Sequence, residues 1–224
     1  MIAHDMRTPL SALMFSLRNA KAATGNPDAL HRALDVAERN TVALASIVEA
    51  LLDTSPDGHG RVSHAECLPA DLIASAIDQI APQSEHKRQT ITIGETFPQP
   101  VLADPTRIIR VLVNLLSNAI RFSAEGGEIR VDARLRLNDG HPCVVFSVSD
   151  NGPGVPISDI TKIFGEGVSI AKGGKYSSGL GLAVCKELVE AHGGRIWVET
   201  DRTDGATFSF SIPLDWENPE AHRA

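Results

Sequence analysis

Asn114-Leu115-Leu116-Ser117-Asn118-Ala119-Ile120-Arg121-Phe122 is the stretch around which the chain can be organised. Asp104-Pro105 lies ahead of it, reading as an N-cap and a proline at the first helical position. A helix is therefore predicted over 105–122. On it Asn114 and Asn118 are four apart and share a face. Two amides on one face can offer carbonyl oxygens to Mg2+, an ion that takes few protein ligands and fills its shell with water and phosphate. Arg121, one turn beyond Asn118, can reach a phosphate, and Phe122 can lie against a purine. An isolated Asn pair is an ordinary capping or surface feature; the rest of the chain gives this one its meaning.

Downstream, Val144-Val145-Phe146-Ser147-Val148 has the apolar density of a buried strand and runs into Asp150-Asn151-Gly152-Pro153-Gly154. A carboxylate at a strand end can accept a hydrogen bond from an exocyclic amine such as that of adenine, and Gly152 and Gly154 let the backbone approach a ring closely. A Gly- and Ser-rich stretch follows, with Lys172, Lys175 and Ser178, and ends in Gly179-Leu180-Gly181-Leu182 at a predicted helix start. Free N–H groups at a helix N-terminus bind phosphate, and the two lysines can add charge. Other nucleotide motifs fail. Gly174-Lys175 resembles the end of a Walker A loop, but Ser169 stands where its first Gly belongs and Tyr176 where its hydroxyl residue belongs. Neither Gly-X-Gly is followed by the third Gly of a dinucleotide fingerprint.

Upstream the chain is helical in pattern. Ala3, Met6, Leu10, Leu13, Leu17 and Ala20 form a heptad seam. The seam stops at Thr24-Gly25-Asn26-Pro27, where Gly25 suits a helix C-cap and Asn26 the next N-cap. It resumes through Leu30, Leu34, Ala37, Thr41, Leu44, Val48 and Leu51. Two seamed helices on a short turn form a hairpin, and a hairpin leaves one face unburied. A dimer around a four-helix bundle is expected. The first helix carries His4-Asp5-Met6-Arg7-Thr8-Pro9-Leu10. A neutral imidazole is a nucleophile near pH 7. Asp5 can take up its proton, and Thr8, one turn on, can hold a water for attack on a nearby phosphoryl group. Pro9 removes a helical hydrogen bond and is expected to bend the axis.

Between these regions, 55–60 is rich in turn formers and reads as a linker. From 61 the pattern mixes strands (61–66, 90–96, 128–137, 143–149, 195–200, 206–212) with helices (from 69, over 105–122 and 158–164, and from 181 to Gly193-Gly194). This predicts a mixed sheet with helices on one face. The 224 residues are 42% hydrophobic and 22% charged, enough to bury a core. A net charge of −7 argues against a nucleic-acid binder. No stretch approaches the ~20 apolar residues of a membrane span. Cys67, Cys143 and Cys185 form no CxxC pair and are expected to be free structural thiols of a reducing compartment.

Together and in this order, the motifs closely resemble the catalytic core of a sensor histidine kinase of two-component signalling. His4 to Leu10 is similar to that family's H-box, Asn114 to Phe122 to its N-box, Asp150 to Gly154 to its G1 box, Ile163-Phe164 to its F-box and Ser178 to Leu182 to its G2 box. Arg121 stands where the family often has Lys, Phe122 where Tyr is common, and Gly167 where the F-box usually carries a second Phe. The resemblance implies an α+β protein: a dimerising helical hairpin, then an ATP-binding α/β sandwich of the Bergerat type. The expected boundaries are 1–54 for the phosphoacceptor hairpin, 55–60 for the linker, 61–215 for the ATP-binding domain and 216–224 for a tail. It also implies ATP with Mg2+ held by Asn118 and supported by Asn114, adenine on Asp150, and phosphorylation of His4. Transfer to an aspartate on a response-regulator receiver domain would follow, with Thr8 supporting dephosphorylation of the regulator. A homodimer in the cytoplasm is expected. Since the chain opens three residues before His4, an upstream part carrying the signal input, and any membrane anchor, is expected too. Two alternatives share these motifs. A gyrase-, Hsp90- or MutL-type ATPase would need a Glu base where Asn114 stands. A dimeric nucleotide-binding scaffold would need no reactive His4.

Overall fold

The computed structural model describes residues 2–23, 25, 26, 29, 30, 32–34, 36, 37, 40, 41, 44, 62–138, 140–165, 180–199 and 205–214, with backbone alone for 2–8 and 180. The chain divides into two compact units, Met1–Arg61 with Gly165–Gly181 and Val62–Phe164 with Leu182–Ala224.

In the first unit, helix α1 (Ile2–Ala22) runs through Pro9. It stops where the local chemistry requires. Gly25 has φ +89°, in the left-handed region that glycine enters without a Cβ clash. Asn26 then caps the next helix: its Oδ1 accepts from the Ala29 N–H at 3.0 Å and its carbonyl from the Leu30 N–H. The described positions from 29 to 44 are helical. Small residues of the hairpin (Ser16, Ala33 and Ala37) are buried. The larger seam residues Leu10, Leu17, Leu30 and Leu34 are exposed, with Met14 beside them. Val48, Leu51 and the linker 55–60 lie outside the described residues.

The second unit is a five-stranded mixed sheet backed by helices. Its strands are β2 (Thr90–Thr96), β4 (Glu128–Asn138), β5 (His141–Asp150), β6 (Ile196–Glu199) and β7 (Thr207–Pro213), in the order β2-β4-β5-β7-β6. Only β2 and β4 run parallel. A separate two-stranded ribbon pairs β1 (Ala65–Cys67) with β3 (Val101–Ala103). Alternation sorts the sheet into two faces. Ile129, Val131, Val144, Phe146, Val148, Phe210 and Ile212 make one, all buried, with the Phe146 and Phe210 rings stacked at 4.9 Å. The other is polar: Ser147 pairs with Ser209 and Ser149 with Thr207, each at 2.9 Å, and Asp132 binds Arg130 and Arg134.

Three helices follow from their own signals. Helix α2 (Pro69–His86) starts with proline at its first position. Its far end is a Schellman turn. Arg88 takes φ 52°, its N–H donates to the Glu85 carbonyl at 2.9 Å, and the Gln89 N–H donates to the Ser84 carbonyl at 2.9 Å. Helix α3 (Pro105–Phe122) is capped by Asp104, whose Oδ1 accepts from the Arg107 N–H at 3.2 Å. It buries Ile108, Val111, Leu112, Leu115, Leu116, Ala119 and Ile120. Full burial of such side chains contributes about 1.5–3 kcal/mol each, so the core fixes this helix's rotation. On helix α4 (Leu180–Glu190), the Cys185 Sγ approaches the Val111 carbonyl of α3 at 3.9 Å.

Two expectations are corrected. The helix expected over 158–164 is a single 3-10 turn, Ile157–Asp159, followed by turns. Pro156 on one side and Gly165 on the other leave too few residues for a cooperative helix. Strand β3 was not anticipated, because prolines at 98 and 100 mark a loop; its strand character comes from pairing with β1. None of the three cysteines is in a disulfide. Burial pushes Cys185 up to about 12 and raises Cys67 as well.

Candidate functional site

The stripe of α3 turned from the core carries the expected chemistry. Asn114, Ser117, Asn118 and Arg121 recur along one face and are half-buried, between fully buried pairs. The Asn114 Nδ2 donates to the Arg110 carbonyl at 3.4 Å. That orients its amide along the helix and turns its oxygen, the atom a hard cation takes, away from the backbone. Arg121 lies over the Phe122 ring, its guanidinium carbon 5.6 Å from the centroid.

The end of β5 meets this helix at its last turn. Asp150 is 7% exposed, and its Oδ1 accepts from the Gly152 N–H at 2.7 Å. A Cβ at Gly152 would stand 3.1 Å from the Phe122 carbonyl and 2.8 Å from the Asp150 Oδ1. A side chain there would have to push the Asp150 carboxylate and the end of α3 apart. From the other side the Asp150 N–H donates to the Ala206 carbonyl at 2.9 Å. Gly205, at φ +110°, sits so close that a side chain there would overlap the Asp150 carbonyl. Gly154 has φ +70° and faces the Gly205 carbonyl. The carboxylate is thus held between two loops beside Phe122.

Other expected residues are placed unevenly. His4, Asp5 and Thr8 lie on α1, where the backbone is helical and their side chains are outside the described part. Lys172, Lys175, Ser178 and Gly179 lie outside the described residues. Leu180 and Gly181 form the start of α4, at the helix N-terminus where the sequence puts them. Ile163 is buried, and Phe164 packs edge-on to Phe208, centroids 6.4 Å apart.

This geometry has a sequence counterpart. Residues 103–215 match the family model described as histidine kinase-, DNA gyrase B- and HSP90-like ATPase. The chain belongs to that family. Residues 1–60 match the His Kinase A (phospho-acceptor) domain, and the pair of domains makes the chain the catalytic core of a sensor histidine kinase. It is 32% identical over 223 residues to the adaptive-response sensory kinase SasA of Synechococcus sp. (strain JA-2-3B'a(2-13)), covering 96% of this chain and 58% of that one. The catalytic domain of histidine kinase ThkA superposes with a TM-score of 0.58 at 29% identity, covering 68% of this chain and 98% of that one. ThkA in complex with the response regulator protein TrrA gives 0.67 at 25% identity, covering 95% of this chain and 60% of that one. The chain thus spans little more than half the length of that SasA and of its counterpart from Synechococcus elongatus. Among the described residues, no helix is long and apolar enough to cross a membrane.

Several residues that shape the kinase core's site escape sequence reading. His192 is 2% exposed. Its Nε2 accepts the Asp104 N–H at 3.0 Å, so its Nδ1 carries the proton and donates to the Leu188 carbonyl at 2.7 Å. Burial holds its pKa below the usual imidazole value. Asp104 also accepts the Ser63 N–H at 3.1 Å. One carboxylate and one imidazole thereby tie the segment entering this unit to the start of α3 and the end of α4. A His before Gly193-Gly194 reads as a helix end, and nothing local reveals its partner across the fold. Gly205 had a signal, a glycine between turn formers ahead of a strand, but its closeness to Asp150 did not.

Proposed function

We propose that this chain binds ATP, phosphorylates itself on His4 and passes the phosphoryl group to an aspartate of a response-regulator receiver domain. The observation that carries the reading is the convergence of Asp150, Gly152 and the Phe122 turn beside the half-buried Asn114–Asn118–Arg121 stripe, in a chain that also carries a phosphoacceptor helix. We assign 1–54 to that hairpin, 55–60 to the linker, 61–215 to the ATP-binding domain and 216–224 to a tail. Asp150 accepts the adenine amine, and Gly152 and Gly154 allow the ring to approach. Phe122 lies against the purine. Arg121, Lys172 and Lys175 meet the phosphates, and so do the N–H groups near Ser178, Gly179, Leu180 and Gly181.

The donor set suits Mg2+: two amide oxygens, from Asn118 and Asn114, leave room for water and phosphate. When bound, the ion neutralises phosphate charge. His4 attacks the γ-phosphorus. An N–P bond forms, the bond to the bridging β,γ oxygen breaks, and ADP leaves with that electron pair while Asp5 takes up the imidazole proton. Positioning and charge stabilisation supply most of the catalysis in such transfers. The receiver aspartate then displaces the imidazole from phosphorus. Thr8 holds the water that later hydrolyses the regulator's acyl phosphate. A homodimer is the assembly proposed, because Leu10, Leu17, Leu30 and Leu34 are exposed in the single chain and association through the hairpin would bury them. Asn114 is a poor general base, which favours this reading over a simple ATPase.

The test is incubation with γ-labelled ATP and Mg2+. A protein-bound phosphate that is acid-labile, base-stable and absent from His4→Ala is expected. No label on the wild-type dimer, or undiminished label in His4→Ala, refutes the proposal.

A further inference from the structure

Helix α3 ends with the residues assigned to the nucleotide, and a helix C-terminus carries about half a negative elementary charge on its open carbonyls. A nucleoside di- or triphosphate brought there meets a repulsive end. The structure places a cation on it. The Lys87 Nζ donates to the Ile120 carbonyl at 2.6 Å and to the Arg121 carbonyl at 3.0 Å. The Gln89 Nε2 donates to the carbonyls of Ile120 at 3.0 Å, Ser123 at 3.2 Å and Ala124 at 2.9 Å. The backbone closes the same seam: the Gly126 N–H donates to the Lys87 carbonyl at 2.9 Å and the Thr90 N–H to the Gly127 carbonyl at 3.0 Å. The Schellman turn at Arg88 aims both side chains in one direction, off the end of α2.

We propose that Lys87, seconded by Gln89, is a positioning residue of the nucleotide site: it neutralises the negative end of α3 and fixes the turn bearing Arg121 and Phe122. The proposal rests on the ATP reading above. It acts through the helix: the Lys87 Nζ is bonded to the last open carbonyls of α3. Two consequences follow. The turn from Phe122 to Gly127 abuts the Asp150 loop, because a Cβ at Gly127 would come 2.7 Å from the Asn151 Oδ1; removing its bonds, as Gln89→Leu does, displaces the adenine pocket and weakens ADP and adenosine alike, whereas Lys87→Gln keeps a donor on the turn. The second consequence separates charge from packing. An uncovered helix end opposes phosphates and leaves an uncharged nucleoside almost unaffected.

The experiment measures ADP with Mg2+, and separately adenosine, by isothermal titration on the full chain. Wild type, Lys87→Gln and Lys87→Arg are compared. Gln keeps a hydrogen-bond donor and drops the charge, and Arg keeps the charge. Lys87→Gln is expected to bind ADP about tenfold more weakly, the size of an exposed helix-terminal charge effect in a partly buried setting. Its adenosine affinity should stay within about twofold, and its melting temperature within about 2–4 °C. Lys87→Arg should restore ADP binding. Equal losses for ADP and adenosine, or ADP affinity unchanged in Lys87→Gln, overturn the Lys87 assignment alone. Failure of the wild-type chain to bind ADP overturns the ATP reading and this proposal with it. Should Lys87→Gln not fold, Gln89→Leu is titrated instead; undiminished ADP affinity there overturns the seam as a positioning element.

Discussion

Asp150→Asn is the most informative single change, because the structure dictates which way the new amide must point. The Gly152 N–H donates to Oδ1 at 2.7 Å. An asparagine that keeps its oxygen on that donor puts an NH2 where the second carboxylate oxygen stood. The amine of adenine then meets a donor instead of an acceptor. Loss of a charge-assisted hydrogen bond costs about 1.5–3 kcal/mol, and a donor left unsatisfied at a buried position about 1–3 kcal/mol more. The sum, about 2.5–6 kcal/mol, is a loss of affinity between about seventyfold and about twenty-thousandfold. Folding should change little, since the Gly152 bond survives and the volume is unchanged; a melting shift below about 4 °C is expected. Titration of ADP with Mg2+ into wild type and variant reads the first quantity, and circular dichroism melts the second. If Asp150→Asn binds ADP within tenfold of wild type while melting normally, adenine is not held by this carboxylate.

Asp104→Ala should lower stability by about 2–3 kcal/mol, combining a lost N-cap with the stranded Ser63 N–H. Asp104→Asn, whose oxygen still caps Arg107 while its NH2 faces the Ser63 N–H, should recover only the cap's share of about 1 kcal/mol; urea unfolding followed by circular dichroism distinguishes them. The depressed pKa of His192 means its neutral form is the folded one, so its contribution is complete above the unfolded value of about 6.5 and is lost as pH falls towards the lower folded value. Urea midpoints between pH 7.5 and 5.5 should therefore slope downward with acid and flatten in His192→Asn. Arg88→Gly should raise the melting temperature by about 2–4 °C, because arginine holds a left-handed conformation at the end of α2 that glycine adopts freely; a lower value would refute the strain.

Much of the site was legible because its signals are local. Asp104-Pro105 marks a helix start whatever surrounds it, and the apolar period of α3 says which stripe stays out of the core. That stripe holds Asn114, Asn118 and Arg121, so their common face followed from spacing. Gly25 and Asn26 likewise describe their own turn. The reading failed where the outcome depended on pairing. Strand β3 exists through its bonds to β1, and the segment after Pro156 lacks the length to nucleate a helix.

The sequence by itself determined the order of helices and strands except β3 and the segment after Pro156, the capping chemistry and the residue types available to hold a nucleotide, since each depends on neighbours a few residues apart. Tertiary structure alone decided what those residues meet. Lys87 reaches carbonyls 33 and 34 positions away, and His192 accepts an N–H 88 positions away. A side chain at Gly152 would crowd the Asp150 carboxylate at 2.8 Å and the Phe122 carbonyl at 3.1 Å. Such contacts are set by strand order and by the crossing of α3 over the sheet. Backbone polar groups carry no residue identity, so no pattern in the sequence announces them.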